Sequence, residues 1–432
     1  MSTTITRREF IRMFGAGCLL ALGGPAPVRS AGSAKARVVV IGGGFGGATA
    51  AKYLRLLDPG IEVTLIERNS QYVSCPLSNE VIVGERDIAQ LTFGYEGLTA
   101  HGVSVVQDEA TGIDPVNKTV ATASGTSHAY DRLIVAPGID FKWDTVEGYS
   151  EEVSGQMPHA YKAGEQTLLL KQQIEAMRDG GLVVIVPPPK PFRCPPGPYE
   201  RASLIAHYLT QHKPKSKIII LDPNSSFSKK GLFEQAWEEQ YGDMITWVPG
   251  ATDGIVQRVD AATSTLYTEF SEHKADVISF IPPHHAGHIA QQSGLADDSG
   301  WCPVDPMSME STLQEGIHVL GDACIAGEPA PFDMPKSAHA ANSQAKVAAG
   351  AIVAALNDKP IPQPYYVNTC YSLVNPEYGI SVVHIFRVEN AAFVYVKGAG
   401  GTSPLDAKPW IRKAEAGFAV SWFENITRDS FS

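Results

Sequence analysis

The chemistry available to this chain of 432 residues starts with its thiols. Cysteines stand at 18, 75, 194, 302, 324 and 370, and none forms CxxC or CxxCH, so the chain carries neither a zinc ribbon nor a c-type haem attachment site. Cys194 has the most unusual setting. In "VVIVPPPKPFRCPPGPYERA", residues 183–202, a strand runs into a proline-crowded turn, and the cysteine stands just ahead of a helix expected to begin near Pro198. A helix start favours a thiolate. A disulfide at Cys194 would be a natural two-electron acceptor; a structural disulfide or a buried thiol is the other reading of the same residue. Cys302 and Cys324 read as packing residues. "PPHHAGH" gathers His284, His285 and His288 without cysteine or carboxylate companions, and no metal is expected there.

The second chemical motif is a phosphate cradle. "ARVVVIGGGFGGATAAKYLRLLDPGIEVTLIE" is a complete βαβ unit: a strand at Val38 to Ile41, a helix from about Gly46 to Leu57, and a strand ending at Glu67. Gly42, Gly44 and Gly47 satisfy GxGxxG, giving a tight turn, close approach of a pyrophosphate, and close helix–strand packing. Glu67 is placed to accept hydrogen bonds from a ribose 2′-OH. "YDRLIVAPG" and "GIHVLGDA" resemble the returning strands of flavoproteins with two dinucleotide domains, which implies FAD, with Asp322 holding the ribityl chain. The small-residue helix after them begins near Lys336 and Ser337 and would point its positive end at the flavin ring, favouring the anionic reduced form.

These elements imply an α/β architecture of two Rossmann-like dinucleotide-binding domains, the second degenerate, plus a smaller C-terminal α+β interface domain. The expected boundaries are a signal at 1–33, an FAD domain at 34–146 and 273–355, a degenerate NAD-like domain at 147–272, and the interface domain at 356–432. The degeneracy is specific. Aligning Gly181 to Pro223 on the first βαβ unit sets Pro187, Pro189 and Phe192 where Gly42, Gly44 and Gly47 stand. Proline has no N–H for a phosphate and its ring fills the space a pyrophosphate needs, so NAD(P)H is not expected to bind. From Ile361 onward, "GISVVHIF" and "AAFVYVKG" make the tail β-rich.

The N-terminus reads as an export signal of the twin-arginine kind, with Arg7 and Arg8 before an apolar stretch from Ile11 to Leu22, too short for a bilayer span. Periplasmic location is the expectation. Losing Arg7, Arg8, Arg12, Arg29 and Glu9 with that signal moves the formal charge from −11 to −14. Nucleic acid is excluded as a partner on that balance, and no later stretch is long and apolar enough to cross a membrane.

"SCPLSNEVI", "PFRCPPGPYERAS", "KADVISFIPP", "SGWCPVD", "GIHVLGDACIA", "MPKSAHAANSQAKVAA", "NTCYSLVNPEYGISV" and "SWFENITRDSF" together resemble the flavoprotein subunits of flavocytochrome c sulfide dehydrogenase, relatives of sulfide:quinone reductases within the FAD-dependent disulfide-reductase superfamily. The likeness runs over essentially the whole mature chain. It implies that Cys75 bonds covalently to FAD at the 8α carbon, that Cys194 and Cys370 form a redox-active disulfide, that Glu200 handles protons nearby, and that Trp422 lies near the sulfide site. Glu200 has a plainer alternative as a first-turn carboxylate. The resemblance also implies a c-type cytochrome subunit in a heterodimer as electron acceptor and zero-valent sulfur or polysulfide as product. A sulfide:quinone oxidoreductase, an accessory redox flavoprotein and an NAD(P)H reductase are the rival readings. The quinone enzyme would carry an amphipathic C-terminal helix for the bilayer surface.

Overall fold

The computed structural model describes residues 35–326 and 334–432. The expected export signal, with Arg7, Arg8 and Cys18, lies outside the described residues. β1 (Ala36–Ile41) opens the fold, and its Val38, Val39 and Val40 are at most 2% exposed. A strand apolar on both faces suits the middle of a parallel sheet covered by helices. It turns through glycine into α1 (Phe45–Leu57) and returns as β2 (Ile61–Glu67), with Val38 opposite Val63 in parallel register. β3 (Val103–Gln107) pairs with β2, and β4 (Arg132–Val135) flanks β1 on its other side.

The chain then leaves to build a second parallel sheet. It consists of β5 (Leu182–Val186), α2 (Gly197–His212), β6 (Lys217–Asp222), α3 (Lys230–Tyr241), β7 (Ile245–Pro249) and β8 (Val277–Phe280), with strand order β7-β6-β5-β8. β9 (Ile317–Val319) afterwards returns to the first sheet, completing the order β9-β4-β1-β2-β3. Parallel neighbours need crossover connections, and here one crossover contains the whole second sheet. The α/β class with two Rossmann-like folds is therefore present as read from the sequence.

α4 (Ala338–Ala355) packs along α1. Ala345, Ala348 and Ala349 on one helix and Ala48, Ala50 and Ala51 on the other are wholly buried, since only small side chains let two helix backbones approach so closely. The Ser337 hydroxyl accepts the Ala340 N–H at 3.1 Å and caps the helix. The Gly321 N–H donates to Gln344 Oε1 at 2.8 Å, which ties the end of β9 to the same helix.

The C-terminal part is an antiparallel meander of β10 (Tyr365–Asn375), β11 (Tyr378–Glu389) and β12 (Ala392–Tyr395), followed by α5 (Pro409–Phe431). The strands read from Ile361 onward are thus joined by a helix of 23 residues, in keeping with the α+β reading of this part. α5 packs inward on β11 and α1, burying Ala416, Ala419, Phe423, Ile426 and Phe431. Phe431 stacks on Tyr72 and Phe93, with ring centroids 5.4 and 5.2 Å away. Among the described residues no helix is long and apolar enough to cross a membrane.

Candidate active site

The first glycine turn has the geometry that a dinucleotide demands. Gly42 takes φ +95°, a left-handed conformation that favours glycine, and a Cβ there would stand 2.4 Å from the Ala136 carbonyl oxygen. A Cβ at Gly47 would lie 1.8 Å from the Gly42 carbonyl oxygen, so α1 packs on β1 only with glycine at that position. Gly44 caps α1 without any side-chain hydrogen bond, and the helix has no acidic residue in its first turn. Its first N–H groups are thus left for an anion. Glu67, at the end of β2, accepts the Gly43 N–H at 2.7 Å and the Asn69 N–H at 2.9 Å. Oε1 also accepts Asn69 Nδ2 at 2.9 Å, so Oε2 is the oxygen that keeps lone-pair capacity for a ribose hydroxyl.

Among the described residues, Asp322 Oδ1 and the Tyr95 hydroxyl are buried polar atoms along this cradle without a protein partner. Tyr95 lies where a Cβ on Gly43 would meet its hydroxyl at 2.3 Å. Buried polar atoms normally carry hydrogen bonds, so orphans beside a nucleotide turn are what a bound polyhydroxylated cofactor would satisfy. The residues present fit FAD. Asp322 Oδ2 is meanwhile held by Arg193 Nε at 2.6 Å.

The second turn is closed to a nucleotide. Pro187, Pro188, Pro189 and Pro191 have no N–H, and the Lys190–Pro191 bond is cis. The N–H groups of Lys190, Arg193 and Cys194 are already given to Asn224 Oδ1 at 3.2 Å, His284 Nδ1 at 3.1 Å and the Lys336 carbonyl at 2.8 Å. Phe192, only 2% exposed, belongs to the core. Asp222 ends β6 as Glu67 ends β2, but it is fully buried and accepts hydrogen bonds from the Tyr199 hydroxyl at 2.6 Å and Trp247 Nε1 at 2.9 Å. The carboxylate that would read a second ribose is walled in by aromatic rings.

The cysteines meet from different parts of the chain. Cys194 sits in the turn before α2 at φ +52°, its carbonyl accepting the Gly197 N–H at 2.8 Å and the Tyr161 hydroxyl at 2.9 Å. A Cβ on Gly197 would stand 3.1 Å from Cys194 Sγ, so this glycine makes room for the sulfur. Cys370 comes from β10, opposite Val382. Both are half-buried thiols, and a negative charge on Cys370 is felt at Cys194. Burial pushes the Cys194 thiol well above its ordinary range; Cys370, Glu200 and Cys75 add to this, and the Lys229 ammonium opposes it. A helix start favours the thiolate, while loss of water and nearby negative charge act in the opposite direction here. Burial likewise raises Cys370, with Lys229 again acting the other way.

Glu200, in the first turn of α2, faces this cluster. Its Oε1 accepts the Leu373 N–H at 2.8 Å and its Oε2 accepts Asn79 Nδ2 at 2.9 Å, while burial raises its carboxyl above the usual range. These hydrogen bonds tie the start of α2 to β10 and to Asn79, in the short helix Ser78–Ile82 that follows Cys75. Cys75 lies on the cradle side, its Sγ 3.6 Å from Arg193 Nη1 and 3.8 Å from the Tyr161 carbonyl oxygen. Trp422 is one layer behind Cys370, its Nε1 3.4 Å from His339 Nδ1 and its ring 6.3 Å from that of Tyr371. Lys336 points elsewhere. Its ammonium donates to the Cys324 carbonyl at 2.9 Å and lies 3.8 Å over the Trp301 ring, so its contribution to the site is the carbonyl that holds Cys194. Cys302 and Cys324 pair in parallel register in the core, and burial raises the Cys302 thiol to about 12.

Arg193 and Lys229 were not legible as site residues. Arg193 had a signal, its adjacency to Cys194, whereas Lys229 had none, because its partners lie in β10 and α2. His284 Nδ1 accepts the backbone N–H of Arg193.

Three family descriptions match successive parts of the chain. Residues 36–178 match pyridine nucleotide-disulphide oxidoreductase, residues 167–282 match the central region of sulfide dehydrogenase (flavocytochrome c) flavoprotein chain, and residues 362–431 match flavocytochrome c sulphide dehydrogenase, flavin-binding. The flavoprotein chain of sulfide dehydrogenase (flavocytochrome c) from Chlorobaculum thiosulfatiphilum is 67% identical over 45 residues, which are 10% of this chain and 94% of that sequence. A mitochondrial sulfide:quinone oxidoreductase of Dictyostelium discoideum is 22% identical over 334 residues, covering 73% of this chain and 70% of that one. The solved sulfide:quinone oxidoreductase of Aquifex aeolicus superposes with a TM-score of 0.72 at 19% identity, covering 91% and 92% of the two chains, and shares the fold. With its dinucleotide cradle intact, its second cradle walled off and its cysteines gathered between them, the chain belongs to the flavoprotein family of flavocytochrome c sulfide dehydrogenase.

Proposed function

We propose that this chain oxidises hydrosulfide at a Cys194–Cys370 disulfide, beside an FAD tethered through Cys75, and passes the electrons to a c-type cytochrome subunit. Membership in the family makes it a sulfide-oxidising, FAD-dependent oxidoreductase; the disulfide, the tether and the acceptor are the finer reading. One observation carries it: half-buried thiols from the turn before α2 and from β10 lie within reach of each other's charge and of Glu200 and Lys229, with Glu200 and Lys229 both hydrogen-bonded to the strand that presents Cys370.

HS⁻ attacks one sulfur of the disulfide, the S–S bond breaks, and a persulfide and a thiolate result. Glu200, anchored by Leu373 and Asn79, takes the persulfide proton. Bound FAD supplies a two-electron sink that can release its electrons singly. Arg193, fixed between Asp322 and Cys75, keeps the tether side of the cradle in register with the cysteine that follows it in sequence. An acceptor other than pyridine nucleotide is required, since Pro187 to Pro191 and the walled-in Asp222 leave NAD(P)H no seat. A quinone outlet would use a terminal helix laid on the bilayer, but α5 turns Phe423, Ile426 and Phe431 into the core. Arg7 and Arg8 support export by the twin-arginine route to the periplasm, where such a cytochrome partner would be met.

The test is spectral. In the exported complex, sulfide is expected to bleach the flavin band first and reduce haem second, with NADH doing neither; reduction of a soluble quinone analogue with no haem response would overturn the acceptor. Acid-precipitated protein should stay yellow. All FAD appearing in the supernatant would refute the Cys75 tether.

A further inference from the structure

Lys229 is a cation brought to the cysteines from the side of α3. It precedes α3 at φ 60°, in the left-handed region that disfavours residues with side chains, and no sequence motif marks it. Its Nζ donates to the Cys370 carbonyl oxygen at 3.1 Å and to Ser372 Oγ at 2.9 Å, so the ammonium is pinned against the strand that presents Cys370. The groups that face it come from every neighbouring element: Cys370 from β10, Glu200 from α2, Cys194 from the preceding turn, and Glu415 from α5. Glu415 is itself engaged by the hydroxyls of Ser381 and Ser403 and by Arg412, leaving the two sulfurs and Glu200 as the charges that Lys229 can balance.

We propose that Lys229 is the positioning residue that holds the negative charge of sulfide turnover at this disulfide, drawing HS⁻ into the pocket and stabilising the departing thiolate on Cys370. The proposal rests on the disulfide reading above and extends it. When the S–S bond breaks, its electron pair goes to the leaving sulfur; with the ammonium set on the Cys370 side, that sulfur is Cys370, and the substrate sulfur bonds to Cys194 as a persulfide. No other oxidant enters the step. Two of the ammonium's three N–H donors are used on the strand, which leaves one for the anion. Burial raises both the Cys194 and the Cys370 thiol, and at each of them the Lys229 ammonium acts the other way.

The experiment compares full-length, flavin-loaded parent, Lys229→Met and Lys229→Arg. Lys229→Met should keep its flavin and lose about 100-fold in kcat/KM for sulfide, and Lys229→Arg should recover at least about a tenth of the parent value. In a second measurement the pair is reduced chemically and alkylated with iodoacetamide across pH. The inflection of the rate should move upward by about one pH unit or more in Lys229→Met and return in Lys229→Arg. A uniform drop in alkylation at all pH values, with an unmoved inflection, would mean that Lys229 only braces β10 and would overturn the proposal; so would parent-like kinetics in Lys229→Met. A parent that itself shows no sulfide-dependent bleaching overturns the disulfide reading instead, which keeps the two failures distinct.

Discussion

Sulfide added to the Cys370→Ser protein is expected to leave its flavin oxidised. The variant still has Cys194, but a lone thiol cannot accept two electrons, so HS⁻ loses its electrophile and the sulfide-dependent rate should fall by about 10³-fold or more. Serine is close to cysteine in size, and the backbone around position 370 is held independently of the sulfur. Lys229 grips the Cys370 carbonyl, and Glu200 grips the Leu373 N–H. Flavin content and thermal midpoint should therefore stay close to the parent's, which separates a chemical defect from a folding one. Cys194→Ser should behave alike. Stopped-flow bleaching at 450 nm reads both, and a rate within about tenfold of the parent in either variant would mean that the electrons enter by another route.

Gly47→Ala is the second large effect, and it acts on the cofactor rather than on the sulfur. The new methyl would sit 1.8 Å from the Gly42 carbonyl oxygen and 3.3 Å from Val40 Cγ1. The obstacle is backbone in the turn that cradles the pyrophosphate, so it cannot swing aside as a side chain would. Either α1 lifts from β1 or the turn deforms; overpacking of this kind costs about 1–3 kcal/mol. Because the same displacement moves the first N–H groups of α1, FAD content should drop by at least about tenfold relative to the parent. The ratio of flavin to protein absorbance, with a denaturation midpoint, measures both. Full flavin loading at parental stability would show that the dinucleotide does not lie against this turn.

Much of the first βαβ unit was legible because its signals are local. Gly42, Gly44, Gly47 and Glu67 sit within one short stretch, and the steric reason for each glycine operates between neighbours in sequence. The replacement of the second set by Pro187, Pro189 and Phe192 was legible for the same reason. What lay behind those prolines was not. Asp222 looks like an ordinary strand-end carboxylate until Tyr199 and Trp247 are seen to close on it. The tail shows the opposite limit. Its meander follows from alternation, but the apolar residues of α5 spread around the helix, so its periodicity was weak and only the surfaces of β11 and α1 define which side is buried.

By itself, the sequence determined the FAD cradle, the loss of a nicotinamide seat and the identity of the thiols, since backbone sterics and missing N–H groups are properties of residues and their immediate neighbours. Tertiary structure decided the electrostatics. Lys336, near the right helix start, proved to be turned into the core over Trp301, while Lys229, without any motif, arrived beside Cys370. The raised Cys194 thiol likewise reflects burial first, and then Cys370, Glu200 and Lys229 converging from separate elements. Charge interactions and burial act through space over a few ångströms, and chain order carries no record of which distant residues folding will bring within that range.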